Sequence, residues 1–409
     1  MKNKVLLCWN YERQSWVNQF HEIFKNENYC YLNFFSKSQE KANFAEVKVY
    51  YWEDFKNIDH VLSLIDPAIV VFMGLDGPYT LLLNYVCKQN KIPTYFLQHG
   101  IFHSYNSYRH DEKMGEKIGR ETKSDINVEI KSKASSPKIS FLKNSITPER
   151  IPIFIKIFSF LVYKKYSNSL QKALKLIAGE SVQADHYIVY TKFLSRIFVE
   201  RDKVPDEKFI EIGNEEANQI INHIFEAGDP GESNSDYFLF IDEAFSGSAE
   251  YDLPPVVTAG KYNNFLSALA DYALSKEKKL KVKLHPYSYS TNHFVTHKNI
   301  EYIRHADTTN LIANCSGVFG FTSTLLIPAL FVKSACIFKL NNFSHIHDIL
   351  EKMNYCKVLD FNTFKPDEIE MKARNASQTS DFIHYFLYKL DNNCMVRLKE
   401  ILHSKLTNR

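Results

Sequence analysis

Two groups of charged residues stand at the ends of apolar segments, where the carboxyl end of a β-strand would place them. Asp242 and Glu243 follow the segment YFLFI, and Lys283, His285 and Pro286 close the segment LKVKLHP. Paired carboxylates can supply a general base, a nucleophile or a ribose-binding acceptor, and a histidine can protonate a phosphate leaving group. For the two acids the alternative is a loop with solvated carboxylates.

A third group is rich in hydroxyls. Thr322, Ser323 and Thr324 follow the segment VFGF and open an apolar helix predicted over 325–331. Hydroxyls and free backbone N–H groups at a helix start can hold phosphate. The alternative is ordinary helix capping by serine and threonine.

Two further groups lie in the first hundred residues. Gly74 and Asp76 follow the β-branched segment AIVVFM, and Gln98, His99 and Gly100 follow PTYFL. Asp76 is a candidate base or sugar-hydroxyl acceptor, with helix capping as the alternative. His99 is a candidate proton-transfer or phosphate-facing group, with a structural histidine at a turn as the alternative, and the glycine beside it lets the backbone approach a ligand.

The elements that must position these groups alternate between strand and helix, which indicates a doubly wound α/β fold. Strands are predicted at 5–9, 31–35, 68–73, 93–97, 186–190, 209–212, 237–241, 280–284, 318–321, 335–338 and 358–361. Turn residues at 228–235 predict a linker between two α/β units. Open α/β sheets bind ligands beyond the carboxyl ends of their strands, and two facing sheets create a cleft.

The region 101–185 departs from this pattern. Residues 111–138 are polar and read as a loop, and helices are predicted over 151–163 and 166–178. Residues 101–180 carry 15 Lys and Arg against 8 Asp and Glu, a net charge of +7, which leaves −4 for the rest of the chain. The apolar stretch IPIFIKIFSFLVY is too short to span a bilayer. It predicts either a buried helix or, over 151–175, a face that rests on an anionic membrane surface.

Composition excludes several classes of protein. A length of 409 residues predicts two or three domains, and a net charge of +3 disfavours a nucleic-acid binder. Seven cysteines without a C-x-x-C pair predict reduced thiols, no zinc site and a cytoplasmic protein. The sequence contains no G-x-G-x-x-G, Walker A or G-x-S-x-G motif, and no histidine–carboxylate cluster at metal-binding spacing. We therefore expect no metal and no bound cofactor.

The order of these motifs resembles that of bacterial GT-B glycosyltransferases of surface-polysaccharide and capsule type. The most specific segments are IDEAFSGSAEYD, KVKLHP and GFTSTLLIPAL, with QHG as a weaker match. Within that group the chain looks most like sialyltransferases and Kdo transferases. The resemblance covers 1–100 and 186–345. It implies two Rossmann-like domains facing across a cleft, with a helical insertion in the N-terminal half.

The resemblance also implies a role for each motif. His285 and the hydroxyls of Thr322, Ser323 and Thr324 would contact the phosphate of a CMP-sugar donor in the C-terminal domain, and no metal is obligatory. The acceptor would lie against the N-terminal domain near Asp76 and His99.

The resemblance leaves the base or nucleophile open. Asp76 would be the base in a sialyltransferase-like reaction, whereas Asp242, Glu243 or Asp252 would be the nucleophile in a Kdo-transferase-like one. Ala244 stands where some sialyltransferases carry a glycine. Retaining and inverting chemistry are both compatible with these residues.

Together these observations predict an acceptor domain over 1–227 with the insertion 101–185, a nucleotide-sugar domain over 236–380, and C-terminal helices over 381–409. The predicted function is transfer of a nonulosonic or Kdo-type sugar from a CMP-linked donor to a glycan or glycolipid acceptor. A UDP-sugar transferase or epimerase, a polyol-phosphate transferase and a non-catalytic glycan- or membrane-binding subunit are the alternatives. We expect the protein in the cytoplasm, either free or attached peripherally to the inner membrane.

Overall fold

Apolar, β-branched and aromatic residues form the strands of two sheets in the computed structural model. The structure describes residues 4–9, 14–33, 37, 42–44, 47–75, 77–100, 139–167, 176–228, 235–246, 257–289, 294–340 and 345–407. Several sequence predictions lie outside this part of the chain: Asp76, Asp252, the loop at 111–138, residues 168–175 of the second insertion helix, and 229–234 of the linker.

The first sheet has seven parallel strands in the order β3-β2-β1-β4-β5-β6-β7. They are Lys4–Trp9 (β1), Asn28–Asn33 (β2), Val49–Tyr51 (β3), Ile69–Phe72 (β4), Thr94–Leu97 (β5), His186–Val189 (β6) and Phe209–Glu211 (β7). The accompanying helices are Gln14–Phe24 (α1), Ile58–Ile65 (α2), Pro78–Gln89 (α3), Ile139–Asn144 (α4), Ile151–Ser167 (α5) and Arg196–Glu200 (α6).

Helices cover this sheet on both faces, which is why its strands are apolar throughout. Successive side chains of a strand point to opposite faces. Leu6 and Cys8 of β1 therefore enter one core, with α2, α3 and the insertion helices. Val5 and Leu7 enter the other core, with α1 and the last helix of the chain.

The helical insertion between β5 and β6 packs on the first of these two cores. Phe154, Ile157 and Phe160 of α5 are buried in it. Arg150 just before α5 is also buried, and its guanidinium donates to both carboxylate oxygens of Asp59 in α2, at 2.9 and 2.5 Å. Apolar contacts and the bidentate ion pair between Arg150 and Asp59 therefore attach the insertion to this core.

The second sheet has six parallel strands in the order β10-β9-β8-β11-β12-β13. They are Tyr237–Ile241 (β8), Lys279–Lys283 (β9), Ile300–Ile303 (β10), Val318–Gly320 (β11), Ala335–Lys339 (β12) and Lys357–Asp360 (β13). The helices of this half are Glu215–Glu226 (α7), Ala259–Ser275 (α8), Thr308–Ala313 (α9), Leu326–Val332 (α10), His345–Lys352 (α11) and Thr379–Phe382 (α12), and Cys394–Thr407 (α13) ends the chain. The predicted fold class, two doubly wound α/β domains, is confirmed.

The chain divides into two compact units after Ile212, earlier than the 228–235 linker that the sequence predicted. The second unit consists chiefly of Gly213–Asn392. It includes α7 because Asn218 of that helix donates to the carbonyls of Lys389 and Asp391, both at 2.8 Å. The helix α13 belongs to the first unit, where Leu398, Leu402 and Leu406 complete the core beside α1.

Two further findings concern the cysteines and the helices. All seven cysteines are buried, and none of them forms a disulfide bond. No helix in the described ranges is both long and apolar enough to cross a membrane.

Candidate functional site

The strand order of the second sheet reverses between β8 and β11. The chain runs outward from β8 through β9 on one side and from β11 through β12 on the other. Such a reversal opens a crevice at the carboxyl ends of the two central strands, where α/β proteins bind ligands. Asp242 and Glu243 follow β8 at this edge, His285 follows β9, and Thr322 follows β11. Three of the predicted groups are therefore brought together.

Asp242 is buried, and four donors surround its carboxylate. Oδ1 accepts the Tyr262 hydroxyl at 2.5 Å and the backbone N–H of Ala244 at 3.1 Å. Oδ2 accepts the Ser288 hydroxyl at 2.6 Å and the backbone N–H of His285 at 3.0 Å. A carboxylate with this many partners is stabilised in one position and joins the end of β8 to the turn after β9. The geometry is that of a positioning residue.

Glu243 lies beside the hydroxyl-rich turn. Its Oε1 accepts the backbone N–H groups of Thr322 and Ser323 at 2.5 and 2.6 Å, and its Oε2 accepts the Thr322 hydroxyl at 3.2 Å. The amides that the sequence predicted for a donor phosphate thus hold a side-chain carboxylate. Burial raises the pKa of Glu243 to about 7, against the lowering effect of these hydrogen bonds, with a smaller contribution from the charge of Asp242.

The backbone conformation at Ala244, directly after these two acids, is unusual. Ala244 has a φ of +56°, in the left-handed region that favours glycine. The hydrogen bond from its N–H to Asp242 closes a two-residue turn of the kind that aspartate often makes.

His285 begins a short turn that Pro286 stiffens. The backbone N–H of Ser288 donates to the carbonyl of His285 at 2.8 Å, and the fully buried Ser288 side chain reaches Asp242. His285 itself is half-buried. Asp242 thus fixes both ends of the turn that carries the imidazole.

The Lys283 side chain contacts residues outside the Asp242 cluster. Its ammonium donates to the carbonyls of Leu284 and Arg304 at 3.2 and 3.3 Å, and it lies 5.8 Å from the centre of the Tyr289 ring. These contacts join β9 to the end of β10. They give Lys283 a structural role in addition to the predicted ligand contact.

Among the three hydroxyl residues, burial differs. Thr322 is buried, whereas Ser323 and Thr324 are half-buried. The Ser323 hydroxyl accepts the backbone N–H of Leu325 at 3.3 Å, which caps the turn before α10. Gly320 precedes them, and a Cβ there would lie 3.0 Å from a terminal methyl group of Leu326, so a larger residue would require that side chain to shift.

Gly74 and His99 lie at the carboxyl edge of the first sheet. Gly74 is buried just after β4, and the ring of His99 packs on Trp9 at the end of β1, with 4.3 Å between ring centres. Gly100 has a φ of +78°, which explains the glycine. The two central strands β1 and β4 flank the point where this sheet's order reverses.

Gln98 has a different environment from its neighbour His99. Its side chain is fully buried, and Oε1 accepts the backbone N–H of Tyr190 at 2.8 Å and the Ser195 hydroxyl at 2.7 Å. These bonds join β5 to the segment after β6. Gln98 therefore supports the loop that carries His99 from within the protein.

Sequence reasoning missed three residues of the second-unit cluster. Tyr262 and Ser288 hold Asp242, and the buried His347 in α11 hydrogen-bonds the Phe321 carbonyl through Nε2 at 2.8 Å. Only Ser288 left a usable signal, because it lies within one turn of His285 in the sequence. In the described ranges no group of three or more histidine, cysteine or acidic side chains is arranged to hold a metal.

Comparisons with known proteins bear on the fold. No family model matches the chain, and no curated protein matches it. Among solved structures, a glycotransferase of kitacinnamycin is similar over 99% of this chain and 100% of its own, with a TM-score of 0.52 at 11% identity. The wall teichoic acid polymerase TagF has a TM-score of 0.48 at 12% identity, over 100% of this chain and 90% of its own.

A UDP-N-acetylglucosamine 2-epimerase from Rickettsia bellii has a TM-score of 0.45 at 11% identity, over 100% of this chain and 98% of its own. At such identities the likeness concerns the fold alone. The kitacinnamycin enzyme's similarity over the full length, together with the two parallel sheets, identifies the fold as GT-B.

Proposed function

We propose that the chain is a glycosyltransferase that moves a sugar from a nucleotide-activated donor to a glycan or glycolipid acceptor. The observation that carries the proposal is the bond from the His285 backbone to Asp242, beside the Glu243–Thr322 pair, at the strand-order reversal of the second sheet. This edge is where an α/β domain binds a phosphorylated ligand. The GT-B fold and the sequence motifs agree with that assignment.

The donor phosphate would bind between His285 and the turn of Thr322, Ser323 and Thr324. Cleavage of a sugar–phosphate bond leaves negative charge on the phosphate, and pre-positioned hydrogen-bond donors stabilise that charge. The imidazole of His285 and the hydroxyls of Ser323 and Thr324 are such donors. Asp242 contributes by holding the His285 turn, so that the donors are in place before the donor sugar arrives.

Glu243 would be a neighbour of the bound phosphate. An ionised carboxylate beside a phosphate repels it, whereas a protonated one can donate a hydrogen bond. Burial has raised the pKa of Glu243 to about 7, so that a substantial fraction is neutral at physiological pH. We expect the phosphate either to bind beside the neutral acid or to replace it at the Thr322 and Ser323 amides.

The acceptor would bind at the first unit, near His99. The ring of His99 is held against Trp9 at the carboxyl edge of β1, beside the strand-order reversal of that sheet. Asp76 is the proposed base, because both oxygens of Asp242 are engaged by buried donors and are poorly suited to attack. The proposed reaction uses no cofactor or metal ion.

For the donor we propose a CMP-linked keto-acid sugar, on the basis of the sequence motifs. A UDP-sugar is the principal alternative, and a CDP-linked polyol the next. Calorimetric titration of the full chain with CMP, UDP and CDP separates them: tight CMP binding is expected, and UDP binding without CMP binding would contradict the CMP donor. Failure of every nucleotide to bind would favour a non-catalytic glycan-binding subunit.

A further inference from the structure

The insertion helix α5 is apolar on two different sides. One side, formed by Ile153, Phe154, Ile157 and Phe160, is buried in the core of the first unit. Helices that pack on a domain through one side normally carry polar residues on the other. The outward side of α5 does not follow that rule.

The outward side carries a continuous apolar stripe of Ile151, Ile155, Phe158 and Val162. Their spacing of four, three and four residues puts them on one face of the helix. All four are exposed, Ile155 by 61% and Phe158 by 46%. Isolated exposed apolar residues are ordinary, but a stripe running along a helix of 17 residues marks a surface that another phase or molecule covers.

The charge of the surrounding sequence indicates what that covering is. Residues 131–175 contain ten lysines and arginines and a single acidic residue, Glu149. Among the basic residues that the structure describes in this segment, Arg150 is buried and pairs with Asp59 of α2. An apolar stripe within a strongly basic segment matches an anionic membrane surface, where acyl chains take the apolar side chains and headgroups attract the positive charge.

We propose that the outward face of α5 docks on an anionic lipid bilayer, with Ile155 and Phe158 entering the boundary between headgroups and acyl chains. The helix lies parallel to the surface and does not cross the membrane. Docking would hold the first unit, which we assign to the acceptor, at the surface where lipid-linked glycans are found. The docking itself does not depend on which nucleotide sugar the protein uses.

Flotation of the full chain with lipid vesicles tests the proposal. We expect binding to vesicles of equal phosphatidylcholine and phosphatidylglycerol at low salt, weaker binding at high salt, and little binding to phosphatidylcholine alone. The double variant I155E/F158E should bind the anionic vesicles at least about tenfold more weakly, because both side chains lose their apolar burial. A matched control, L64E/L274E, changes two leucines of similar exposure on α2 and α8 and should bind like the wild type.

A second measurement does not depend on the charged variant. In F158W, the indole fluorescence should shift to shorter wavelength with anionic vesicles and stay unchanged with neutral ones. An unchanged spectrum, absence of wild-type flotation at low salt, or full flotation of I155E/F158E would each overturn the proposal. Concentration-dependent dimerisation without lipid, lost in I155E/F158E and accompanied by no flotation, would overturn it in favour of a self-association face.

Discussion

The carboxylate of Asp242 accepts the backbone N–H of His285 at 3.0 Å, which joins the ends of two neighbouring strands. The same oxygen accepts the Ser288 hydroxyl, and the other accepts the Tyr262 hydroxyl from α8. The turn that carries the imidazole is therefore held by an acid that precedes it by 43 residues. Chemistry at His285 should depend on Asp242 even if Asp242 never touches a substrate.

Replacing Asp242 tests this dependence. In Asp242→Ala the buried donors lose their acceptor, and we expect the free energy of unfolding to fall by about 3 kcal/mol or more. Asp242→Asn should lower the free energy of unfolding less, because the side chain keeps one oxygen. If that oxygen keeps its bonds from Tyr262 and Ala244, the amide nitrogen faces the His285 N–H and cannot accept from it. Nucleotide affinity should therefore fall clearly in this variant, as measured by calorimetry alongside urea unfolding.

Tyr262→Phe is the matched control for Asp242→Asn. It removes one hydrogen bond to the oxygen that does not face His285, at a cost of about 1–3 kcal/mol in stability. Nucleotide affinity should remain near that of the wild type. An equal loss of affinity in Tyr262→Phe and Asp242→Asn would show that the cluster acts only through overall stability.

His285→Ala is expected to lower the rate of sugar transfer by about 100-fold or more, because a donor aimed at developing charge contributes on this scale. Its effect on stability should be small, since the side chain is half-buried and the turn is held through backbone atoms. His223→Ala on the exposed face of α7 is the control and should leave transfer unchanged. Turnover with the nucleotide sugar identified by titration is the measurement, and undiminished transfer by His285→Ala would contradict the proposed donor site.

The hydroxyl turn gives an independent test of the same site. Thr324→Ala and Ser323→Ala should weaken nucleotide binding by a few-fold to tenfold each, because each removes one hydrogen bond to the phosphate. Thr322→Ala should act differently. Its hydroxyl donates to Glu243, so the variant is expected to lower stability more than the other two. Equal effects of all three on stability and none on binding would contradict a phosphate site here.

Much of this arrangement followed from the sequence for one physical reason. Parallel strands have their carboxyl ends at the same edge of a sheet, so polar residues after consecutive strands must lie near one another. That reasoning predicted the strand at Tyr237–Ile241 and brought Asp242, His285 and Thr322 to one edge.

The sequence did not predict two edge strands, β3 (Val49–Tyr51) and β10 (Ile300–Ile303). An edge strand packs on one neighbour only, so it can be short and half-exposed, and its pattern is weak. The contact of Tyr262 with Asp242 was likewise unpredictable, because it depends on how α8 crosses back over the sheet. The same limit applies to Glu243, whose role is fixed by the amides it meets in another segment.

The raised pKa of Glu243 makes stability depend on pH in a defined direction. A carboxyl whose folded pKa lies above its unfolded value of about 4.5 takes up a proton on folding, so its contribution is fully present below pH 4.5. This stabilising contribution of the Glu243 carboxyl is lost as the pH rises to about 7. The free energy of unfolding of the wild type should therefore decline relative to Glu243→Gln across this window. Urea unfolding of both proteins at several pH values measures the difference, and a constant difference would contradict the raised pKa.

The left-handed backbone at Ala244 predicts a stabilising substitution. A residue with a Cβ pays about 1 kcal/mol or more at a φ of +56°, whereas glycine adopts this conformation without strain. Ala244→Gly should therefore raise the free energy of unfolding by up to about 1 kcal/mol, after the greater freedom of glycine in the unfolded chain is subtracted. Ala244→Val should lower it, because a β-branched residue is less tolerated there. Nucleotide affinity should be retained in Ala244→Gly, since the turn that places Asp242 and Glu243 is kept. Destabilisation by glycine in urea unfolding would contradict this prediction.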